Sequence, residues 1–290
     1  MSARRVIVNA DDFGLALPVN EAVERAHREG ILTTASLMVG EAAAEDAMRR
    51  ARALPTLRVG LHVVLVHGKP VLPAAQIPDL VGADGNFSKN LAATGVKYFF
   101  HPRIRKQLEA EIRAQFARAH AGGVVLDHIN AQCHFHLHPT VLGIIIRVAR
   151  DYGSPPIRVP YEPFWPSWRA NHDRAGARFA NAVLLAPCLW LMKMRLRAAG
   201  IAYNDRVFGL SDVGAMTPGR VIAFTRELSD GVTELFFHAA TEHWAHMAPE
   251  LVPYQLEAEL AALTSDDVAA ALRTVGAERI AFSDVRAHAR

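Results

Sequence analysis

Apolar and polar positions along the chain fall into two alternating regimes. Short apolar runs over residues 4–10, 33–39, 58–66, 124–130, 157–161, 206–210, 232–240 and 279–285 read as strands. Between them, apolar residues recur at helical spacing in PVNEAVERAHREG, EAAAEDAMRRARAL, RKQLEAEIRAQFARAHAGG, PTVLGIIIRVARDYG and GRVIAFTRELSDG. Pro18 and Gly30 suit the beginning and the end of the first of these helices. Strand and helix units alternating in this way build a parallel sheet, and seven or eight of them predict an α/β fold closed, or nearly closed, into a barrel. One domain over residues 1–290 accommodates the whole pattern. The longest irregular segment, from about His67 to Pro102, exceeds a routine connection and is expected to form part of a site's rim.

A barrel of this kind draws its catalytic groups from the C-terminal ends of different strands. The first strand ends in VIVNADDFG, where Asp11 and Asp12 are adjacent. Neighbours on a strand point to opposite faces, so one carboxylate can bind a metal while the other handles a proton. Helix capping is the plainer use of such a pair. The third strand carries His62, and the fourth leads into DHINAQCHFHLHP with His128, His134, His136 and His138. The fifth ends with Arg158 and Glu162, and the seventh runs into His238, Glu242 and His243. Oxygen and imidazole donors together suit zinc and other divalent ions. Asp12, His62 and one group from residues 132–136 would supply a site with a position left for water, with Asp11 as general base and His238 as the acid toward a leaving amine.

Composition narrows the function classes. With 51% apolar and 21% charged residues the chain can bury a large core, and a net charge of +3 is too small and too scattered to argue for nucleic acid. Cys133 and Cys188 lie far apart, so a disulfide framework is not expected and a reducing, cytoplasmic setting is. Charge interrupts the apolar stretch of MSARRVIVNADDFG too early for a signal peptide, so export is not expected.

VNADDFG, VGLHVVL, DHINAQCHFHLHP and TELFFHAA together resemble the YdjC-like carbohydrate deacetylases. That resemblance implies a distorted TIM-like barrel and a metal-dependent enzyme, with Zn or Mg as the ion, that removes acetyl groups from N-acetylated sugars. KYFFHPRIRKQLEAEIRAQF, RVPYEP and VFGLSDVGAMT are similar to the hopanoid-biosynthesis-associated branch. That branch implies deacetylation of an N-acetylglucosaminyl group on a bacteriohopane lipid. By resemblance Asp11 is the base, and Asp12 and His62 are metal ligands. The family usually reads His-x-His-x-His in the DHINAQCHFHLHP segment, with the first His on the metal. Aligning from Pro139 puts Gln132 at the first of these positions, which is the third ligand. Gln132 as a weaker ligand, a site shifted to His134, and loss of the metal are the alternatives.

The segment FANAVLLAPCLWLMKMRLRAAG, from Phe179 to Gly200, is apolar and ends in Lys193, Arg195 and Arg197. Pro187 and Asn181 are expected to break it below the length of a membrane span. A membrane-facing helical insertion over about residues 165–200, lying on the inner face of the membrane, competes with a buried shell helix or a homodimer interface. Trp165 and Trp168 in EPFWPSW offer faces for stacking on a sugar, and Arg158 and Glu162 offer polar contacts to it. Three functions follow: a deacetylase of a glycolipid or another N-acetylated carbohydrate, a metal-free sugar-lipid binding protein, and a glycosidase using Asp11 and Glu162.

Overall fold

The computed structural model describes residues 4–287. Its elements run β1 (Arg4–Phe13), α1 (Leu17–Glu29), β2 (Thr34–Leu37), α2 (Ala44–Ala53), β3 (Arg58–Val63), α3 (Leu91–Phe100), α4 (Pro102–Ala121), β4 (Leu126–Ala131) and α5 (Pro139–Ala149). They continue with α6 (Phe164–Asn171), α7 (Ala175–Ala199), β5 (Arg206–Phe208), α8 (Pro218–Arg226), β6 (Gly231–Phe237), α9 (Leu256–Leu263), α10 (Asp266–Thr274) and β7 (Glu278–Ile280). The strands order as β4-β3-β2-β1-β6-β5, every pairing is parallel, and β7 joins the N-terminal half of β1 at Arg5–Ile7. This is the distorted TIM-like α/β barrel that the strand-helix alternation predicts.

The barrel closes without a regular fifth strand. Pro160 removes a backbone donor from the run expected as a strand over 157–161, and Pro155 and Pro156 remove two more just before it, so a full ladder cannot form. Ile129 N–H bonds to Pro156 O at 2.9 Å, Arg158 N–H to Ile129 O at 3.0 Å and Val207 N–H to Tyr161 O at 2.8 Å, which places the segment between β4 and β5. The side chain of Asn204 completes the seam, accepting from Val159 N–H at 2.8 Å and donating to Val159 O at 3.0 Å.

Along β1, Val6, Val8 and Ala10 join the main core with Ala22, Val23 and Ala26 of α1, whereas Ile7 packs with Ile280 and Phe282. The opposite parity of β1 is polar above Ile7. Asn9 Nδ2 donates to Ser36 Oγ at 3.1 Å, Thr34 Oγ1 donates to Asn9 Oδ1 at 2.7 Å and Asn130 Nδ2 donates to Ser36 Oγ at 2.9 Å. Asn9, Ser36 and Asn130 are fully buried, so β1, β2 and β4 meet through matched hydrogen bonds rather than aliphatic packing.

Three expectations change. The 67–102 segment contains α3 rather than remaining irregular to its end. Several strands are shorter than their apolar runs, β3 stopping at Val63 and β7 at Ile280. The helix over 179–200 is not broken: α7 runs 25 residues straight through Pro187, anchored by buried Arg178, Leu189, Met192 and Leu196. Among the described residues, α7 is the one helix long and apolar enough to cross a membrane.

Candidate active site

The two carboxylates of β1 reach the same cavity because the strand is irregular at its end. The register with β2 shifts between Ala10 and Phe13, and Asp12 sits in the left-handed region at φ 65°. That conformation is unusual for a residue with a Cβ, although Asp tolerates it better than most. Asp11 and Asp12 then line one cavity of about 340 Å³ with His62, Gln132, Cys133, His134, Leu210, Val213, Phe236, His238, Leu251 and Tyr254. The volume lies within the usual range for small-molecule sites, about 300–1,000 Å³.

Asp11 is held from four directions. It accepts from Asn9 Nδ2 at 2.8 Å, from Asn130 Nδ2 at 3.0 Å and from Arg158 Nη1 and Nη2 at 2.7 and 3.0 Å. Burial pushes its pKa up, but the Arg158 charge, aided by His62, outweighs burial and holds the carboxyl well below its usual range. Arg158 is itself fully buried and shared, since its Nε also donates to both oxygens of Glu234 at 2.9 Å. Burial raises the Glu234 pKa against the pull of Arg158. Arg158 therefore lies beneath Asp11 as its counter-ion, and the phenyl ring of Phe236 packs 4.9 Å from its guanidinium carbon.

Asn130 also sets the tautomer of His62. Its Nδ2 is committed to Asp11 and Ser36, so its Oδ1 faces His62 Nδ1 at 2.8 Å and can only accept. Nδ1 therefore carries a proton, and Nε2 faces Gln132 Oε1 at 2.9 Å and Asp12 Oδ1 at 3.5 Å. The Asp12 oxygen is buried and has no hydrogen-bond partner. Acceptors that face one another in a buried place call for a positive charge between them. A carboxylate, an imidazole and an amide oxygen suit a divalent cation. Among the described residues no three His, Cys, Asp or Glu side chains cluster as metal ligands, so a third protein donor here would be Gln132.

The other histidines divide. His134, left-handed at φ 53°, lines the cavity with its ring 5.6 Å from Phe236 and its Nδ1 unpartnered. Burial, then the Arg158 charge, lowers its pKa well below the usual value. His136 donates to Arg158 O at 3.0 Å, and burial brings it down to about 3. His138 bonds to Gly95 O at 3.0 Å. His128 joins Asp127 to Ser36 and stacks on Phe282. His238 faces the cavity between the rings of Phe236 and Tyr254, at 5.9 and 5.5 Å, and its backbone N–H donates to buried Glu259.

Three residues expected to touch substrate stand outside the cavity lining, and Arg158 does so because it lies fully buried beneath Asp11. Glu162 accepts from the backbone N–H groups of Gly209 and Ser211 at 3.1 and 2.9 Å, which fixes the loop that carries Leu210 into the cavity. Trp165 is exposed on α6, its ring edge against Phe164 and Trp168. Glu242 and His243 are exposed beyond β6. Reading the sequence missed Tyr254, Leu210, Val213 and Glu234. The first three come from loops without periodicity, whereas Glu234 is a charged residue inside an apolar strand and could have been flagged as the partner of a buried cation.

The chain is 39% identical over 157 residues to a carbohydrate deacetylase of Brevibacillus brevis, covering 54% of this chain and 60% of that protein. It is 37% identical over 158 residues to a carbohydrate deacetylase of Geobacillus stearothermophilus, covering 53% and 60%. The match thus spans about three fifths of the length of these relatives. A crystal structure of an Enterococcus faecalis V583 protein, described as a candidate cellobiose-phosphate cleavage protein, superposes with a TM-score of 0.74 at 23% identity over 97% of this chain and 98% of that one, and so shares the fold. The family model for YdjC-like proteins matches residues 5–274, and the chain belongs to that family.

Proposed function

We propose that the protein is a metal-dependent carbohydrate deacetylase that hydrolyses the acetamide of an N-acetyl sugar, and that the sugar is an N-acetylglucosaminyl group on a hopanoid lipid. The observation that carries the reaction is the convergence of Asp12 Oδ1, His62 Nε2 and Gln132 Oε1 beside Asp11, with His238 lining the same cavity. The printed names of the deacetylase relatives support the reaction class. The hopanoid part rests on the KYFFHPRIRKQLEAEIRAQF, RVPYEP and VFGLSDVGAMT segments, and it implies peripheral association with the inner face of the membrane.

Asp12, His62 and Gln132 would hold a Zn or Mg ion. A bound divalent ion acidifies a water and polarises a carbonyl. The residues of this chain do the rest. Asp11 takes the proton of the attacking water as its oxygen bonds to the acetyl carbon. As the carbon–nitrogen bond breaks, His238 protonates the leaving nitrogen, and acetate and the free amine result. Asn9, Asn130 and Arg158 fix the Asp11 carboxylate toward the cavity, and Phe236, Leu210, Val213 and Leu251 keep bulk water from it.

The test is acetate release from an N-acetylglucosaminyl lipid by protein stripped with chelator and reloaded with Zn or Mg. Reloaded protein releases acetate and stripped protein does not. A second reading, a sugar-lipid binding protein without a metal, draws on the neutral Gln132 as third donor. Glycolipid binding with no acetate release under saturating metal would favour it.

A further inference from the structure

A second cavity, of about 440 Å³, opens between α4 and α5 at the foot of α7. Arg105, Lys106, Arg147 and Arg195 line it, and Glu109 is its one acidic lining residue. Glu109 is already matched by Arg147 at 2.7 Å and by Arg113 at 3.1 Å. Arg105 donates to Phe99 O at 2.8 Å and Arg195 to Pro139 O at 2.6 Å, contacts that aim the guanidinium groups without neutralising them. Lys106 is exposed and makes no hydrogen bond or ion pair among the described residues. The cleft therefore holds a surplus of positive charge.

An apolar stripe adjoins it. Phe179, Val183, Pro187, Trp190 and Met194 fall one above another on the outward side of α7, and Phe179, Val183 and Trp190 are 58%, 54% and 64% exposed. The helix contains no Asp or Glu from Ala175 to Ala199, and Arg195, next to Met194, joins the stripe to the cleft. Two cations expected to serve this surface are engaged elsewhere: Lys193 lies 4.4 Å over the Tyr161 ring and Arg197 bonds to Tyr203 at 2.8 Å. A second copy is a poor occupant, because a two-fold contact sets a patch against itself and would bring the basic clefts of both copies to one interface.

We propose that this cleft is an anion site that seats the phosphate of an anionic phospholipid while the α7 stripe enters the bilayer interface. Exposed aromatic and aliphatic side chains beside clustered cations suit the headgroup–acyl boundary. The proposal deepens the membrane part of the preceding reading and is independent of the chemistry in the barrel.

The experiment is co-sedimentation of the whole chain with vesicles of phosphatidylcholine alone or mixed with phosphatidylglycerol. Wild type binds the mixed vesicles, and Arg105→Gln and Lys106→Gln each lower partitioning by about fivefold. Trp190→Ser weakens binding to both vesicle types. Lys106 is exposed and makes no hydrogen bond or ion pair among the described residues, so Lys106→Gln keeps its fold, and an unchanged melting curve verifies this. Equal vesicle binding by the Arg105→Gln/Lys106→Gln double variant overturns the proposal, as does wild type that ignores mixed vesicles. Calorimetric binding of glycerol phosphate with no vesicle binding overturns the lipid source, and a dimer by light scattering that Trp190→Ser dissociates overturns it in favour of a second copy. Acetate release from a soluble N-acetyl sugar is read in parallel. It stays at the wild-type level in the cleft variants, and its absence from wild type would strike the deacetylase reading alone.

Discussion

Replacing Arg158 with Met would leave two buried carboxylates without their shared cation. Asp11 and Glu234 are 2% and 0% exposed, and the guanidinium meets each of them through more than one hydrogen bond. Removing one partner from a buried ionic network typically costs about 3–5 kcal/mol. For a chain of 290 residues that corresponds to a fall in melting temperature of about 5–8 °C. The pH dependence carries a sign. In wild type the Asp11 pKa is depressed, so its contribution is present above the unfolded value of about 3.9 and is lost as the pH falls through the folded value. In Arg158→Met the largest offset to burial is gone, both carboxyl pKa values rise relative to wild type, and protonation relieves them. The deficit against wild type is therefore largest at neutral pH and shrinks toward pH 4. Thermal or urea unfolding of both proteins between about pH 4 and 8 measures it. A deficit below about 1 kcal/mol at neutral pH, or one that grows on acidification, would refute the assignment of Arg158 as the counter-ion.

Asp11→Asn should lower kcat by about 100- to 10,000-fold while metal occupancy, measured by elemental analysis, stays at the wild-type level. Gln132→His should tighten zinc in a competition titration, because imidazole is a better donor than an amide oxygen to a borderline ion. His134→Ala should leave zinc affinity within about twofold, and emptying of the site in that variant would shift the third ligand to His134. Gly214 has φ 71°, and a Cβ there would sit 2.3 Å from Tyr254 Cγ, so Gly214→Ala should displace Tyr254 and raise KM several-fold more than it lowers kcat.

Much of this was legible in the sequence, for identifiable reasons. Period and punctuation located β1, β3 and the helix from Pro139, and the rule that barrel sites gather at strand ends brought Asp11, Asp12, His62 and His238 to one cavity. What stayed hidden depends on departures from regular geometry. Alternation alone would send Asp11 and Asp12 to opposite faces, and only the shift at the end of β1 with the left-handed Asp12 unites them. Arg158 was legible as a rim residue, but its depth below Asp11 follows from Glu234 across the barrel, which local patterns do not encode. Glu162 ends its segment as a catalytic acid would, yet it holds the 209–211 backbone.

The polar seam through the barrel interior has a consequence for folding. Parallel strands can slide by two residues without exchanging their buried and exposed faces, so apolar patterning alone leaves several alignments close in energy. Asn9, Thr34, Ser36 and Asn130 remove that degeneracy, because a slip of two residues would separate each donor from its acceptor in the buried interior. His62 extends the same keying to β3 through Asn130. The end of β1, which carries Asp11 and Asp12, is thereby aligned with its neighbours by the layer immediately beneath it.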